Sequence, residues 1–144
     1  MPTRRTAAAC AGALAVQKRL HEDALLARVH PMGKSLSAKL HATFGAHAHV
    51  GDIRGRGLFQ GIEIVADRDS KAPFDPRQRV HARIKAEAMR RGLMCYPMGG
   101  TIDGALGDHV LLAPPFIVEE PQLDELVHKL AEALDAVLRS PVAV

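Results

Sequence analysis

The chain reads as an α+β domain, a small and mostly antiparallel sheet with helices packed on one face. Three observations predict this. Apolar residues recur at three- and four-residue spacing near both ends and once in the middle; β-branched, partly alternating runs lie between those stretches; glycine and proline mark the joints. With 144 residues the chain suffices for one core, and with four Phe, one Tyr and no Trp that core is built from Leu, Val, Ile, Met and Ala.

Residues 7–30 are strong helix formers, with Leu14, Ala15, Leu25, Leu26 and Val29 set among charges, and Pro31 with Gly33 is expected to end that helix. A second helix is expected over 34–44, stopped by Gly45, so that the two pack as a hairpin. Then the period changes. Residues 49–54 and 58–65 are β-branched, and Gly55-Arg56-Gly57 supplies the freedom of a tight connection, which predicts an antiparallel pair. Asp67, Asp69, Ser70 and Pro73 mark a loop over 66–74.

Asp75-Pro76 is expected to open a helix, with Asp75 as N-cap, Pro76 at the first helical position and Gln78 reaching back as the second half of a capping box. Val80, Ile84 and Ala88 recur four residues apart, Arg90 and Arg91 oppose the negative dipole end, and Gly92 stands where a left-handed cap belongs. Residues 93–96 predict a short strand ended by Pro97, the glycine-rich stretch 98–108 a loop, and residues 109–113 another strand closed by Pro114-Pro115. Glu119-Glu120-Pro121 starts a last helix with Leu123, Leu126, Val127, Leu130, Leu134, Val137 and Leu138 on one face, ended by Ser140-Pro141.

Charge and cysteine usage narrow the function classes. The net charge of +3 is spread without a block of like charges, and the basic stretch Arg77, Arg79, Arg83, Lys85, Arg90 and Arg91 reads as a solvated helix face, because no aromatics stand there to stack bases. Nucleic acid is therefore not an expected partner. Cys10 and Cys95 form no C-x-x-C pair, so a reduced cytoplasm is the simplest setting. Apolar runs such as 110–113 fall far below the roughly 20 residues of a membrane helix, and the start Met1-Pro2-Thr3-Arg4-Arg5 leads into no secretory signal.

His41, His47 and His49 with Asp52 match no zinc spacing, and surface histidines account for them, so no metal is expected. Gly55-Arg56-Gly57 and Gly99-Gly100 precede no capped helix and read as turn glycines rather than a phosphate cradle. Asp52, Glu63, Asp103 and His109 form an acid–base set only on paper; no spacing singles them out from surface and turn residues.

Three segments carry a resemblance: residues 50–63, beginning Val50-Gly51-Asp52-Ile53-Arg54-Gly55-Arg56-Gly57-Leu58-Phe59; then Arg91-Gly92-Leu93-Met94; then Asp108-His109-Val110-Leu111-Leu112-Ala113-Pro114-Pro115-Phe116. Together with the small-residue helix Ala9-Cys10-Ala11-Gly12-Ala13-Leu14-Ala15-Val16 they resemble the carboxy-terminal small domain of class III pyridoxal-phosphate-dependent aminotransferases, of fold type I. The wording of 98–116 is similar to the omega-amino-acid transaminases. On this resemblance residues 9–140 are the small domain, 1–8 an atypical segment and 141–144 a tail.

The resemblance implies amino-group transfer from an amine or amino acid to a 2-oxo acid through pyridoxal phosphate, in a homodimer whose large domain carries the cofactor. It also implies what this segment lacks. Pro2-Thr3-Arg4-Arg5-Thr6-Ala7 does not match the family's His-Thr-x-x-Gly-His-Pro segment, and none of Lys18, Lys34, Lys39, Lys71, Lys85 or Lys129 stands in the Schiff-base motif. No catalytic or cofactor-binding residue is therefore assigned, no pyridoxal phosphate is expected on this chain alone, and the large domain would be a partner if encoded separately. Many members carry a substrate-binding arginine in or before the strand leading to the Pro-Pro pair; here Leu111 and Leu112 fill that strand and no Arg occurs between Arg91 and Arg139. Arg54 and Arg56 are candidates for the interface with the large domain. The alternative is a stand-alone α+β binding or regulatory domain without catalysis.

Overall fold

A computed structural model describes residues 6–139. Thr6 caps the first helix, α1 (Ala7–Glu22), by accepting from the Ala9 N–H, and α2 (Leu25–Phe44) follows after a two-residue break. Strands β1 (Val50–Arg56) and β2 (Phe59–Ile64) form a hairpin. Then come α3 (Val80–Arg90), β3 (Tyr96–Gly99), β4 (Asp108–Leu112) and α4 (Glu120–Leu138). The sheet order is β1-β2-β4-β3 and every neighbouring pair is antiparallel, so the expected α+β class holds.

Alternation along the strands divides the sheet into two faces. Ile53, Ile62, Val110 and Pro97 lie opposite one another in one row, flanked by Ile64 and by Leu112, and they meet Leu36, Leu40, Phe44, Ile84, Leu123, Leu130 and Leu134 from α2, α3 and α4. Polar pins fix the helices: Arg28 donates to Val118 O (2.9 Å), Ser35 to Glu120 (2.7 Å), and Lys39 bridges Glu120 and Asp124. Among the described residues no helix packs on the opposite sheet face.

The helix boundary expected at Pro31 lies elsewhere. α2 runs through Pro31, and the break falls at Asp23 and Ala24, where Ala24 takes a left-handed conformation (φ 49°). An interior proline costs about 3 kcal/mol, and burial of Leu25, Leu36, Leu40 and Phe44 along one side of α2 offsets it. Gly33 is no terminator either. It is buried where α2 meets the hairpin turn, and a Cβ there would collide with the backbone of Gly57, while a Cβ on Gly57 (φ 56°) would come within 2.7 Å of Val29 Cγ1. Gln60, buried beneath the same turn, donates to Gly57 O at 2.8 Å.

Two further boundaries move. Asp75 accepts from the Arg77 N–H rather than forming a capping box with Gln78; residues Pro76–Gln78 make one 3-10 turn, and Arg79 (φ 47°) re-aims the chain before α3 begins at Val80. The cap of α3 comes instead from β4: buried Asp108 accepts from the His81 backbone N–H (3.2 Å) and pairs with His81 Nδ1 (2.6 Å). At the other end the expectation holds, since Gly92 (φ 72°) and Leu93 donate to Met89 O and Ala88 O in a Schellman closure. The strand expected over 93–96 is shifted to Tyr96–Gly99, because Leu93 is drawn into the core and Pro97 is tolerated on an edge strand. In α4, Gln122 accepts from the Glu119 N–H at 3.0 Å. The proposed stop at Ser140-Pro141, the 141–144 tail and Met1 to Arg5 of the atypical segment lie outside the described residues; helix α1 already begins at Ala7.

Two stability outcomes follow. Gly33→Ala forces two backbones apart and is expected to cost about 1–3 kcal/mol, seen as a lower urea midpoint. Asp108→Ala strips α3 of its cap and is expected to cost about 1–2 kcal/mol in thermal unfolding, with Asp108→Asn, which keeps an acceptor oxygen, losing less.

Candidate functional site

The cross-strand register gathers residues that sequence spacing leaves apart. On the open face Asp52, Glu63, His109 and Met98 stand opposite one another in one row, and Arg54, Gly61, Leu111 and Tyr96 in the next, with Phe59 and Arg56 at the turn end. Between them lies a depression of about 390 Å³, bordered by Arg54, Phe59, Gly61, Glu63, His109 and Leu111, with Thr101 from the β3–β4 loop at its edge. Gly61 adds to the depression, since a Cβ there would fill space in ordinary contact with Leu111 Cδ2 at 3.4 Å.

Arg54 is the paired charge of this face. Arg54 Nη1 lies 2.6 Å from Asp52 and 4.0 Å from Glu63, and the hydrogen bond from Arg54 holds the Asp52 carboxyl below its ordinary pKa. Arg56 ends β1 beside the turn, exposed. His109 Nδ1 is buried and finds no hydrogen-bond partner among the described residues. Burial, and after it the charge of Arg54, lowers the pKa of His109. Asp52, Glu63 and His109, expected as unconnected surface residues, are thus neighbours, whereas Asp103 stands apart in its loop and accepts from the Ala105 and Leu106 N–H groups.

The other histidines are used locally. His41 Nδ1 contacts Ser37 O (2.8 Å), His47 Nδ1 accepts from the His49 N–H (3.1 Å), and His49 Nδ1 faces Val65 O and Ala66 O. Among the described residues no group of three or more His, Cys, Asp or Glu is placed to hold a metal. Burial pushes the Cys95 thiol up to about 11, which leaves it protonated and unreactive. Glycines Gly55, Gly57 and Gly99 sit in the hairpin turn or against His81 rather than at a helix start. No described helix is long and apolar enough to cross a membrane.

An aldehyde cofactor needs a free amine, a carboxylate facing its ring nitrogen and donors for its phosphate. The described residues do not fit that set. Lys18 pairs with Glu22, Lys39 with Asp124 and Glu120, Lys129 with Glu125, and Lys71 donates to Gly51 O, while Lys34 and Lys85 are exposed. The groove of about 410 Å³ between Leu93 and α4 contains Lys129, whose Nζ lies 2.5 Å from Glu125. No lysine borders the depression on the open face.

The described residues form an α+β layer with one sheet face left open. The sequence model of the class-III aminotransferases matches residues 6–134, and the chain belongs to that family. It is 51% identical over 135 residues to an uncharacterised aminotransferase of Schizosaccharomyces pombe, covering 94% of this chain and 28% of the relative. Similarity to an adenosylmethionine-8-amino-7-oxononanoate aminotransferase of Nitratidesulfovibrio vulgaris is 40% over 131 residues, 91% of this chain and 22% of that one. The solved (S)-enantioselective omega-transaminase of Thermomicrobium roseum superposes with a TM-score of 0.80 at 29% identity, over 90% of this chain and 27% of its own. The chain thus spans about a quarter of the length of the relatives it matches.

By NMR, His109 is expected to titrate below 6.5 and to be neutral at pH 7, and Arg54→Ala, which removes the second cause, moves its midpoint upward. The sign for stability follows from the order of protonation. The unfolded chain takes the proton first, so the contribution of His109 is complete above 6.5 and is lost as pH falls through the folded midpoint.

Proposed function

We propose that this chain serves as the closing small domain of a class III, pyridoxal-phosphate-dependent transaminase, which moves an amino group from an amine or amino acid to a 2-oxo acid once a cofactor-bearing domain is joined to it. Helix α1 carries the reading. None of its 16 residues is buried, it touches the rest of the domain through α2, and Ala7 to Gln17 contains no charge, with Leu14 71% and Val16 58% exposed. A free helix of this composition is unfavourable in water, where each Å² of uncovered apolar surface forgoes about 25 cal/mol. Yet the family's sequence pattern extends over all of it. The relatives that match over this region are three to four times as long as this chain, and the rest of such a chain is the source of a cover for α1.

The same reading gives Arg54 and Arg56, at the turn end of the open face, a position beside the large domain, and it makes the working enzyme a homodimer in the cytoplasm, where the exposed Cys10 thiol stays reduced. The lysine that holds the cofactor then comes from the joined domain, and this chain contributes closure over the substrate.

The test is complementation. The S. pombe relative, shortened by the 135 residues that match, is co-expressed with this chain. Transfer of the amino group from an amine to pyruvate is expected only when both are present, and Leu14→Lys with Val16→Glu is expected to abolish association and activity together. Borohydride reduction of this chain with pyridoxal phosphate alone is expected to label no single lysine. Turnover by the chain by itself, or binding to the shortened relative unaffected by the α1 substitutions, overturns the assignment.

A further inference from the structure

The β3–β4 hairpin ends in one pair of residues, Gly99 opposite Asp108, and the loop 100–107 springs from that pair. The loop is stiff within itself. The Gly104 N–H donates to Gly100 O and the Ile102 N–H to Leu106 O, each at 3.0 Å, while Asp103 accepts from the Ala105 and Leu106 N–H groups. Gly100, Gly104 and Gly107 take positive φ (77°, 89° and 87°), and a Cβ on Gly107 would come within 2.6 Å of Thr101 Oγ1, so the two ends of the loop lie against each other. Residues 101–105 are nonetheless exposed, Ile102 by 63%, and Thr101 borders the open sheet face. A stiff body with little packed around it takes its direction from its base.

His81 holds both members of that base. It stands at the start of α3, in the helix layer on the other side of the sheet. Its ring Nδ1 lies 2.6 Å from Asp108 Oδ1, and the same edge of the ring is pressed on Gly99, where a Cβ would come within 2.5 Å of Nδ1. The cap of α3 does not need the ring, because the His81 backbone N–H donates to Asp108 at 3.2 Å whatever the side chain. The ring contact therefore serves the hairpin rather than the helix. We infer that His81 is a positioning residue: it clamps Gly99 to Asp108, and through them it sets, from the helix layer, where loop 100–107 stands at the edge of the open face. That a substrate is what the loop would meet rests on the transaminase reading; the coupling of the loop to His81 does not.

Backbone amide relaxation of the isotopically labelled 144-residue chain reads the loop directly. Order parameters at Thr101, Ile102 and Gly104 are expected at about 0.85, as in the strands, and below about 0.6 in His81→Ala, with β1 and β2 unchanged. His81→Asn places an amide nitrogen where Nδ1 stands and is expected to restore them. Gly99→Ala reaches the same contact from the other side: its Cβ displaces the ring while every hydrogen-bonding group is kept, and the loop is expected to loosen again. The order parameters of β1 and β2 show whether each variant is folded, and where one variant fails to fold the other decides together with the unmodified chain. Loop order parameters below about 0.6 already in the unmodified chain, a loop that stays rigid in a folded variant without the contact, loosening of β1 and β2 by as much as the loop, or Asn leaving the loop as mobile as Ala overturns the inference. Since neither a cofactor domain nor a substrate enters this measurement, its failure and the failure of complementation are separate results.

Discussion

Two backbones meet without side chains between them where Gly33 of α2 lies against Gly57 in the β1–β2 turn, and the arrangement of the whole domain follows from that contact. Any Cβ at Gly33 would hold helix and hairpin apart, and the separation would be felt along α2, where Leu36, Leu40 and Phe44 are completely covered by the layers they touch. The buried Gln60 amide ties the same turn to its own strand. Once the turn is held, alternation leaves no choice for the rest of the hairpin: Leu58, Ile62 and Ile64 face the helices, so Phe59, Gly61 and Glu63 face outward. The open face is a consequence of how the closed face is packed.

A second coupling works from the other edge. Asp108 begins β4, but its carboxylate serves the first turn of α3, a helix whose own N-terminal residue Arg79 provides no side-chain cap. The contact joins parts of the chain separated by the whole β3–β4 connection, and it fixes which end of α3 sits over the sheet. Gly99 is pressed against the His81 ring in the same place, so the start of that loop is held as well. A buried carboxylate with two hydrogen bonds from one residue is a demanding device, and it explains why an acidic residue opens a strand that ends in Val110, Leu111 and Leu112.

Most of the fold was legible because its signals are local. The antiparallel hairpin around Gly55-Arg56-Gly57, the Gly92 closure and the apolar stripe of α4 each depend on residues a few positions apart. The misplaced boundaries have the opposite origin. Pro31 persists inside α2 because contacts from distant strands hold the helix together, and the break at Ala24 contains neither glycine nor proline to announce it. Asp75 has every mark of an N-cap, but the true cap arrives from Asp108. The open-face cluster was illegible for the same reason: Asp52, Glu63 and His109 are joined only by the pairing of β2 with β4, a crossover that no spacing in the sequence reveals. Phe59, Gly61 and Leu111 carried a signal that can be read in retrospect, an outward position in an alternating strand filled by an apolar or missing side chain where a polar one is ordinary.

The two uncovered surfaces of the domain differ in a way that bears on what each can face. α1 presents surface with no charge over its first eleven residues, so covering it desolvates little that is polar, and the gain grows with the area covered. The open sheet face does contain charges, but Arg54 reaches Asp52 and Glu63 from within the same layer. Covering this face leaves Asp52 and Glu63 with a partner in their own layer. α1 therefore offers a surface whose covering desolvates little that is polar, and the sheet a surface whose Arg54 already has partners in its own layer.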